Sequence, residues 1–233
     1  MPEQYNRWTR LSKAAVITAV VHLIAGLFMA IVLRQGLDTA DLSDRLSFIT
    51  QHWSLWICGW LSWNLAALAI LYFYFCFADA HSEDNSSSSL LRFAVLLTVA
   101  GVAIDFCAEA IEVGVLPNLA QMILVHSGSL ANSSIEIFLA LHRTAVMMTG
   151  CLSNELYTLS AAILIISTWR SYGWIIRGSG FLLVVAGIGL SGACLLNWVT
   201  GMFLYNVILL PILIIWLLAI AYESRLKAKM VQE

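Results

Sequence analysis

Asp105, Glu109 and Glu112 are three carboxylic acids spaced by four and then three residues inside the otherwise apolar run from Leu90 to Leu116. On an α-helix of about 3.6 residues per turn that spacing puts them on one stripe. An acid near the centre of a bilayer costs about 2.5–3.5 kcal/mol on insertion scales, so three on one face require that face to meet protein, water or a ligand rather than lipid. Acids in such a setting suit proton exchange or cation binding. A histidine or arginine at the same depth would be the natural counter-charge.

Composition defines the medium in which this stripe sits. The chain is 61% hydrophobic and 11% charged, with a mean hydropathy of +0.85, which excludes an ordinary water-soluble domain. Six stretches reach the ~20 apolar residues that a helix needs to cross a hydrocarbon core: 14–33, 53–77, 91–115, 138–168, 178–198 and 203–222. The expected fold is all-α, a polytopic bundle of six transmembrane helices with residues 1–233 as a single domain. The fourth stretch is overlong and carries His142 and Arg143 in its first turns, so it is expected to begin in the interface or to tilt. The basic start followed by an apolar stretch resembles a signal peptide, but Ala14–Leu33 is too long for an h-region and reads as an uncleaved anchor.

Basic residues set the expected orientation. Six crossings put Arg7, Arg10, Lys13, Arg92, Arg170, Arg177, Arg225, Lys227 and Lys229 on one side, with only Arg34 and Arg45 in the opposite loops. Both termini are therefore expected in the cytoplasm. The connection Asp79–Ser89, DAHSEDNSSSS, reads as a polar linker without periodicity in which His81 is solvated. On the outer side, Asp38–Gln51 and Asn118–Val125 have the apolar spacing of interfacial helices, which either cap the acidic stripe or lie on the headgroups.

Depth along the spans gathers further polar groups. The third span runs outward, with Glu109 about 6 Å above Asp105 and Glu112 higher still. The fourth runs inward, placing His142 and Arg143 near its outer end and Asn154 and Glu155 near its middle. Arg143 is expected to pair with Glu112 or Glu109, because a guanidinium in a low-dielectric layer needs an acid. His22, Asn64, Asn197, Tyr205 and Asn206 fall at comparable depths, so the candidate pocket comprises Asp105, Glu109, Glu112, His142, Arg143, Asn154, Glu155, Tyr205 and Asn206. A mixed nitrogen and oxygen metal site from His22, His142 and Glu109, with Asp105 or Glu155, is an alternative use of the same groups.

Other features read as structural. Trp53 and Trp56 fit the outer aromatic belt, while Trp60 and Trp63 lie deeper and suit helix packing or the lining of a lipid pocket. The cysteines at 58, 76, 107, 151 and 194 show no paired spacing, so neither a disulfide framework nor a CxxC site is expected. Lysine occurs only at 13, 227 and 229, which removes any candidate for a retinal Schiff base. Gly189-Leu190-Ser191-Gly192 matches the GxSG pattern of rhomboid proteases, but no histidine follows Ser191 to serve as its base. These small residues instead suit close helix packing.

The passage from Leu141 to Gly192 resembles an uncharacterised bacterial family of six-helix membrane proteins carrying a domain of unknown function. The resemblance rests on His142, the hinge Trp169-Arg170-Ser171-Tyr172-Gly173, Arg177-Gly178 and the run Leu182–Gly187; Ile176 stands where that family usually has proline. It implies an inner-membrane bundle and no particular activity or cofactor. Two functional expectations follow from the residues themselves. One is binding, sensing or transport of a proton, a small cation or a lipidic ligand; the other is a metal-dependent intramembrane enzyme. A structural subunit of a membrane complex is a third. The lipid bilayer is the expected partner, and nucleic acid is not. Six spans without an internal repeat argue against an autonomous secondary transporter.

Overall fold

A computed structural model describes residues 2–37, 40–82, 88–126 and 129–232. The chain is all-α, 93% helical, and has no strand among the described residues. Nine α-helices are described: α1 (Pro2–Leu27), α2 (Leu42–Gln51), α3 (Trp53–Ala80), α4 (Ser88–Gly114), α5 (Leu116–Val125), α6 (Ser129–Val146), α7 (Asn154–Ser167), α8 (Trp174–Leu195) and α9 (Val199–Gln232). Two π-helical segments interrupt them. Phe28–Val32 extends α1, and Met147–Ser153 joins α6 to α7.

Six helical stretches are long and apolar enough to cross a membrane: Glu3–Val32, Trp53–Ala80, Ser89–Val125, Asn132–Ser167, Trp174–Leu195 and Val199–Gln232. They match the six expected spans in number and place. The fourth begins earlier than its apolar run suggests, so His142 and Arg143 lie in the helix interior rather than its first turns. The fifth ends sooner, at Leu195, for a local reason. Asn197 adopts φ 54, and the Trp198 and Asn197 amides bond the carbonyls of Ala193 and Cys194, a Schellman close in which asparagine takes the left-handed position. Asn197 is thus an exposed helix stop rather than a pocket residue.

The spans pack as a ring in chain order, α1 on α3, α3 on α4, α4 on α7, α7 on α8, α8 on α9, and α9 back on α1. Small hydroxyl side chains tie the seams. Thr18 donates to the Ala69 carbonyl, Ser12 to Ala221 and Ser160 to Ala94, each at 2.9 Å, the interhelical bonding expected where backbones approach closely. Two apolar clusters fill the interior. One, around Phe73, Leu164, Trp216 and Leu217, occupies the half near the termini. The other, around Leu33, Ile49, Trp56, Leu116 and Phe138, closes the opposite end.

That opposite end carries a cap. Pro117 opens α5, where a missing N–H is harmless, and α2 packs on α5 while α5 packs on α6. Leu46, Ile49, Ala120 and Ile123 are buried beneath them, so both helices cover the bundle rather than resting apart from it. Residues 38 and 39 of the expected outer helix, and 83–87 of the serine-rich linker, lie outside the described residues. Arg45, 3% exposed, was not foreseen as part of this cap. Its Nε donates to the Gly36 carbonyl at 3.1 Å, and its guanidinium sits 5.5 Å from the Phe138 ring centroid.

At the end bearing both termini, His81 is not solvated. Its ring stacks on Phe77 at 4.4 Å, meets the Trp8 edge at 5.0 Å, and donates from Nδ1 to the Phe77 carbonyl. The Lys227 ammonium lies 4.6 Å from the Trp8 ring centroid and 4.2 Å from that of Tyr172, and donates to the Ser171 carbonyl. Aromatic rings of α1 and the α7–α8 turn thus grip a cation from α9.

Candidate functional site

The stripe of α4 faces inward along its whole length. Asp105 is 2% exposed, Glu109 1% and Glu112 0%, sandwiched where α4 meets α3, α6, α7 and the Met147–Ser153 π-segment. Each acid has a different environment. The Tyr157 hydroxyl of α7 donates to Asp105 Oδ2 at 2.7 Å. His142 Nδ1 lies 2.7 Å from Glu112 Oε1, a buried hydrogen-bonded pair between α6 and α4. Trp56 Nε1 of α3 donates to the Glu112 carbonyl at 2.8 Å, anchoring the cap end of the stripe. Trp56 is therefore a fully buried donor, not a belt residue, whereas Trp53 is 58% exposed.

Glu109, between these two, makes no such bond. Asn64 of α3 faces it, yet Glu109 Oε1 and Oε2, Asn64 Oδ1, Asp105 Oδ1 and Glu112 Oε2 are all buried without a hydrogen-bond partner among the described residues. The Trp60 Nε1 donor nearer the cap is buried and unpartnered as well. Unsatisfied buried polar atoms are rare in folded proteins because each forfeits its hydration without replacement. Five such acceptors lie in one polar layer, four of them on the three carboxyl groups of α4, an arrangement that can take up a proton or a cation.

The π-segment bears on this geometry. A π-turn inserts an extra residue and widens the helix, a feature concentrated at functional sites. Here it brings Ser153 Oγ onto the Gly101 carbonyl of α4 and carries Tyr157 to Asp105. The approach is close: a Cβ at Gly101 would stand 2.8 Å from the Tyr157 ring. Tyr157 and Ser153 were not among the expected site residues. Their signal was present but faint, a hydroxyl-bearing side chain at the depth of Asp105 on the facing span.

Several expected members go elsewhere. Arg143 pairs with neither Glu109 nor Glu112. Its Nη2 donates to the Cys194 carbonyl at 2.7 Å, where it caps the C-terminus of α8, a position that favours cations. His142, one residue earlier and a hundred degrees around the helix, takes the acid instead. Asn154 donates to the Gly187 carbonyl at 2.8 Å and Ser191 Oγ at 2.9 Å, so it belongs to the α7–α8 seam. Ser191 in turn donates to the Cys151 carbonyl, which makes the GxSG serine a packing residue. Gly187 permits that seam, since a Cβ there would fall 2.1 Å from Thr158 Oγ1.

Tyr205 lies against Gly189 and Asn206 is exposed, donating to the Met202 carbonyl of its own helix. Neither joins the acids. Glu155 is exposed on the outer face of α7. His22 donates to the Thr18 carbonyl and sits edge-on to Trp63, so the expected set of His22, His142 and Glu109 is not assembled. Among the described residues no group of three His, Cys, Asp or Glu side chains is placed to hold a metal ion.

Fold and site together define a class, an all-helical bundle with six helices long and apolar enough to cross a membrane and a buried polar layer between two apolar clusters. No family model, curated protein or solved structure matches the chain, so the functional reading rests on its own residues.

Proposed function

We propose that this is a multi-pass protein of a bacterial inner membrane, with both termini in the cytoplasm, that binds and exchanges a proton or small cation within the outer half of its bundle. The charge distribution supports the orientation, with nine of the twelve basic residues on the side of the termini. One observation carries the function: Glu109 is 1% exposed, and apart from the Asn64 amide that faces it no group among the described residues, and no positive charge, answers its carboxyl oxygens. A bare carboxylate in such surroundings is prohibitively desolvated, so the site is completed by a positive counterpart. Complete burial favours the smallest one, a proton, over a lipid headgroup.

The neighbours extend the site into a ladder. Asp105 with Tyr157, Glu109 with Asn64, and Glu112 with His142 rise along α4 at ~1.5 Å per residue, giving successive groups that accept and release protons. Trp56 and the α2–α5 cap shield the upper end from bulk water. Such a ladder serves a sensor, or one subunit of a carrier coupled to the proton gradient. Metal-dependent catalysis draws no support from these positions, because His22 and Glu155 lie away from the acids and no three His, Cys, Asp or Glu side chains among the described residues are placed to hold an ion.

Infrared titration of the protein in nanodiscs tests the reading. The wild type is expected to show a protonated-carboxyl band that changes with pH, and Glu109→Gln, which preserves shape, is expected to lose it while keeping the helical amide bands. A band that titrates unchanged in the variant would move the function to Asp105 or Glu112. A wild type with no titrating band would reduce the acids to structural links.

A further inference from the structure

Glu155 occupies a position that the acid ladder does not use. Along α7, Tyr157 and Ser160 bond α4, whereas Asn154 bonds α8. The remaining stripe points away from the bundle. With Leu152 at the end of the π-segment it carries Leu159 and Ile166, the three being 49%, 46% and 73% exposed, and Glu155 stands among them, also exposed. From Glu155 to the end of α7 at Ser167 the helix rises roughly 18 Å, about the middle of a ~30 Å hydrocarbon layer. The carboxyl group takes no hydrogen bond or ion pair from any described residue, and its electrostatic neighbour is the Cys151 thiol.

We infer that this stripe docks a transmembrane helix of another protein that places a lysine or arginine at mid-depth against Glu155. The inference rests on the membrane-spanning reading and not on the proton ladder. A glutamate stem is too short to carry its charge from the bilayer centre to the headgroups, so lipid does not satisfy it. A second copy of this chain does not satisfy it either. Of the basic residues only Arg143 lies well within the apolar run of a span, and it is committed to the Cys194 carbonyl; the others lie outside those runs or, for Arg92, at the very start of one. Charge complementarity therefore points to a different chain. Leu152, Leu159 and Ile166, at helical spacing around the acid, supply the packing surface, and the ion pair supplies register and selectivity.

The test uses the full chain, fluorescently labelled, in phosphatidylcholine vesicles with synthetic leucine-rich transmembrane peptides that differ only in a central lysine or leucine. Energy transfer is expected to show at least tenfold tighter association with the lysine peptide, and Glu155→Gln is expected to abolish that preference. Equal association of both peptides with the wild type overturns the inference, as does a lysine preference that survives Glu155→Gln. Self-association of the chain that disappears in Glu155→Gln also overturns it, assigning the stripe to a second copy. Flotation of the protein with the vesicles is read first; failure to float would sink the membrane reading itself and this docking surface with it, whereas flotation with either negative result rejects the docking surface alone.

Discussion

His142 and Arg143 are neighbours in sequence with opposite fates, and the difference is one of azimuth. A step of one residue turns a helix by about a hundred degrees, so His142 meets Glu112 on α4 while Arg143 reaches the end of α8. The coupling should follow the geometry. A double-mutant cycle of Glu112→Gln and His142→Ala, read from unfolding in mixed micelles, is expected to give an interaction of about 1.5–3 kcal/mol, the range for a buried hydrogen bond to a charged group. The cycle of Glu112→Gln with Arg143→Ala is expected to be additive within about 0.5 kcal/mol. A larger coupling to Arg143 than to His142 would show that the guanidinium, not the imidazole, answers the acid.

Between elements, the clasp at the termini gives a pH dependence. Burial pushes the His81 imidazole down from 6.5 to about 4, the Lys227 ammonium adding to the effect and the bond to the Phe77 carbonyl opposing it. Burial likewise raises the Tyr172 hydroxyl well above its usual range, with Glu223 adding to it. The folded clasp thus holds neutral rings around a cation. Because the folded histidine is harder to protonate than the unfolded one, its contribution is fully present above pH 6.5. It is lost as the pH falls toward about 4, by at most roughly 3 kcal/mol. Unfolding midpoints measured across that window should fall in the wild type and fall less steeply in His81→Phe, which keeps the stacking ring and removes the titrating group. Parallel slopes would mean that His81 is protonated in the folded clasp and that other groups carry the pH dependence.

For the whole molecule, the chain-order ring makes orientation a property of every connection at once. With Cys58 and Cys107 replaced by alanine, Asn85→Cys is expected to resist a membrane-impermeant thiol reagent in intact cells, and Gln121→Cys, on exposed α5, to react. Labelling of Asn85→Cys from outside would invert the bundle and place the acid ladder toward the cytoplasm. Arg7 reaches Ser82 and the Arg225 Nε reaches Ser12, so the ends of α1, α3 and α9 move together whichever side they occupy.

The six spans and the inward acid stripe were legible in the sequence because both depend on local, additive physics. Apolar transfer energy sums along a segment, and helical pitch alone places Asp105, Glu109 and Glu112 on one face. Relative height was legible where two spans face each other, as for His142 beside Glu112, although the fourth span begins earlier than its apolar run. Azimuth was not. Whether Glu155 faces the acids or turns outward, whether Trp56 joins the belt or bonds Glu112, and whether His81 meets water or Phe77 depends on how each helix is rotated against its neighbours. The π-segment Met147–Ser153 adds a rotation that a uniform helical count does not contain. Packing sets those rotations through contacts between residues far apart in the chain, such as Trp56 with Glu112 or Asn154 with Gly187, so only the tertiary structure decides which polar groups meet.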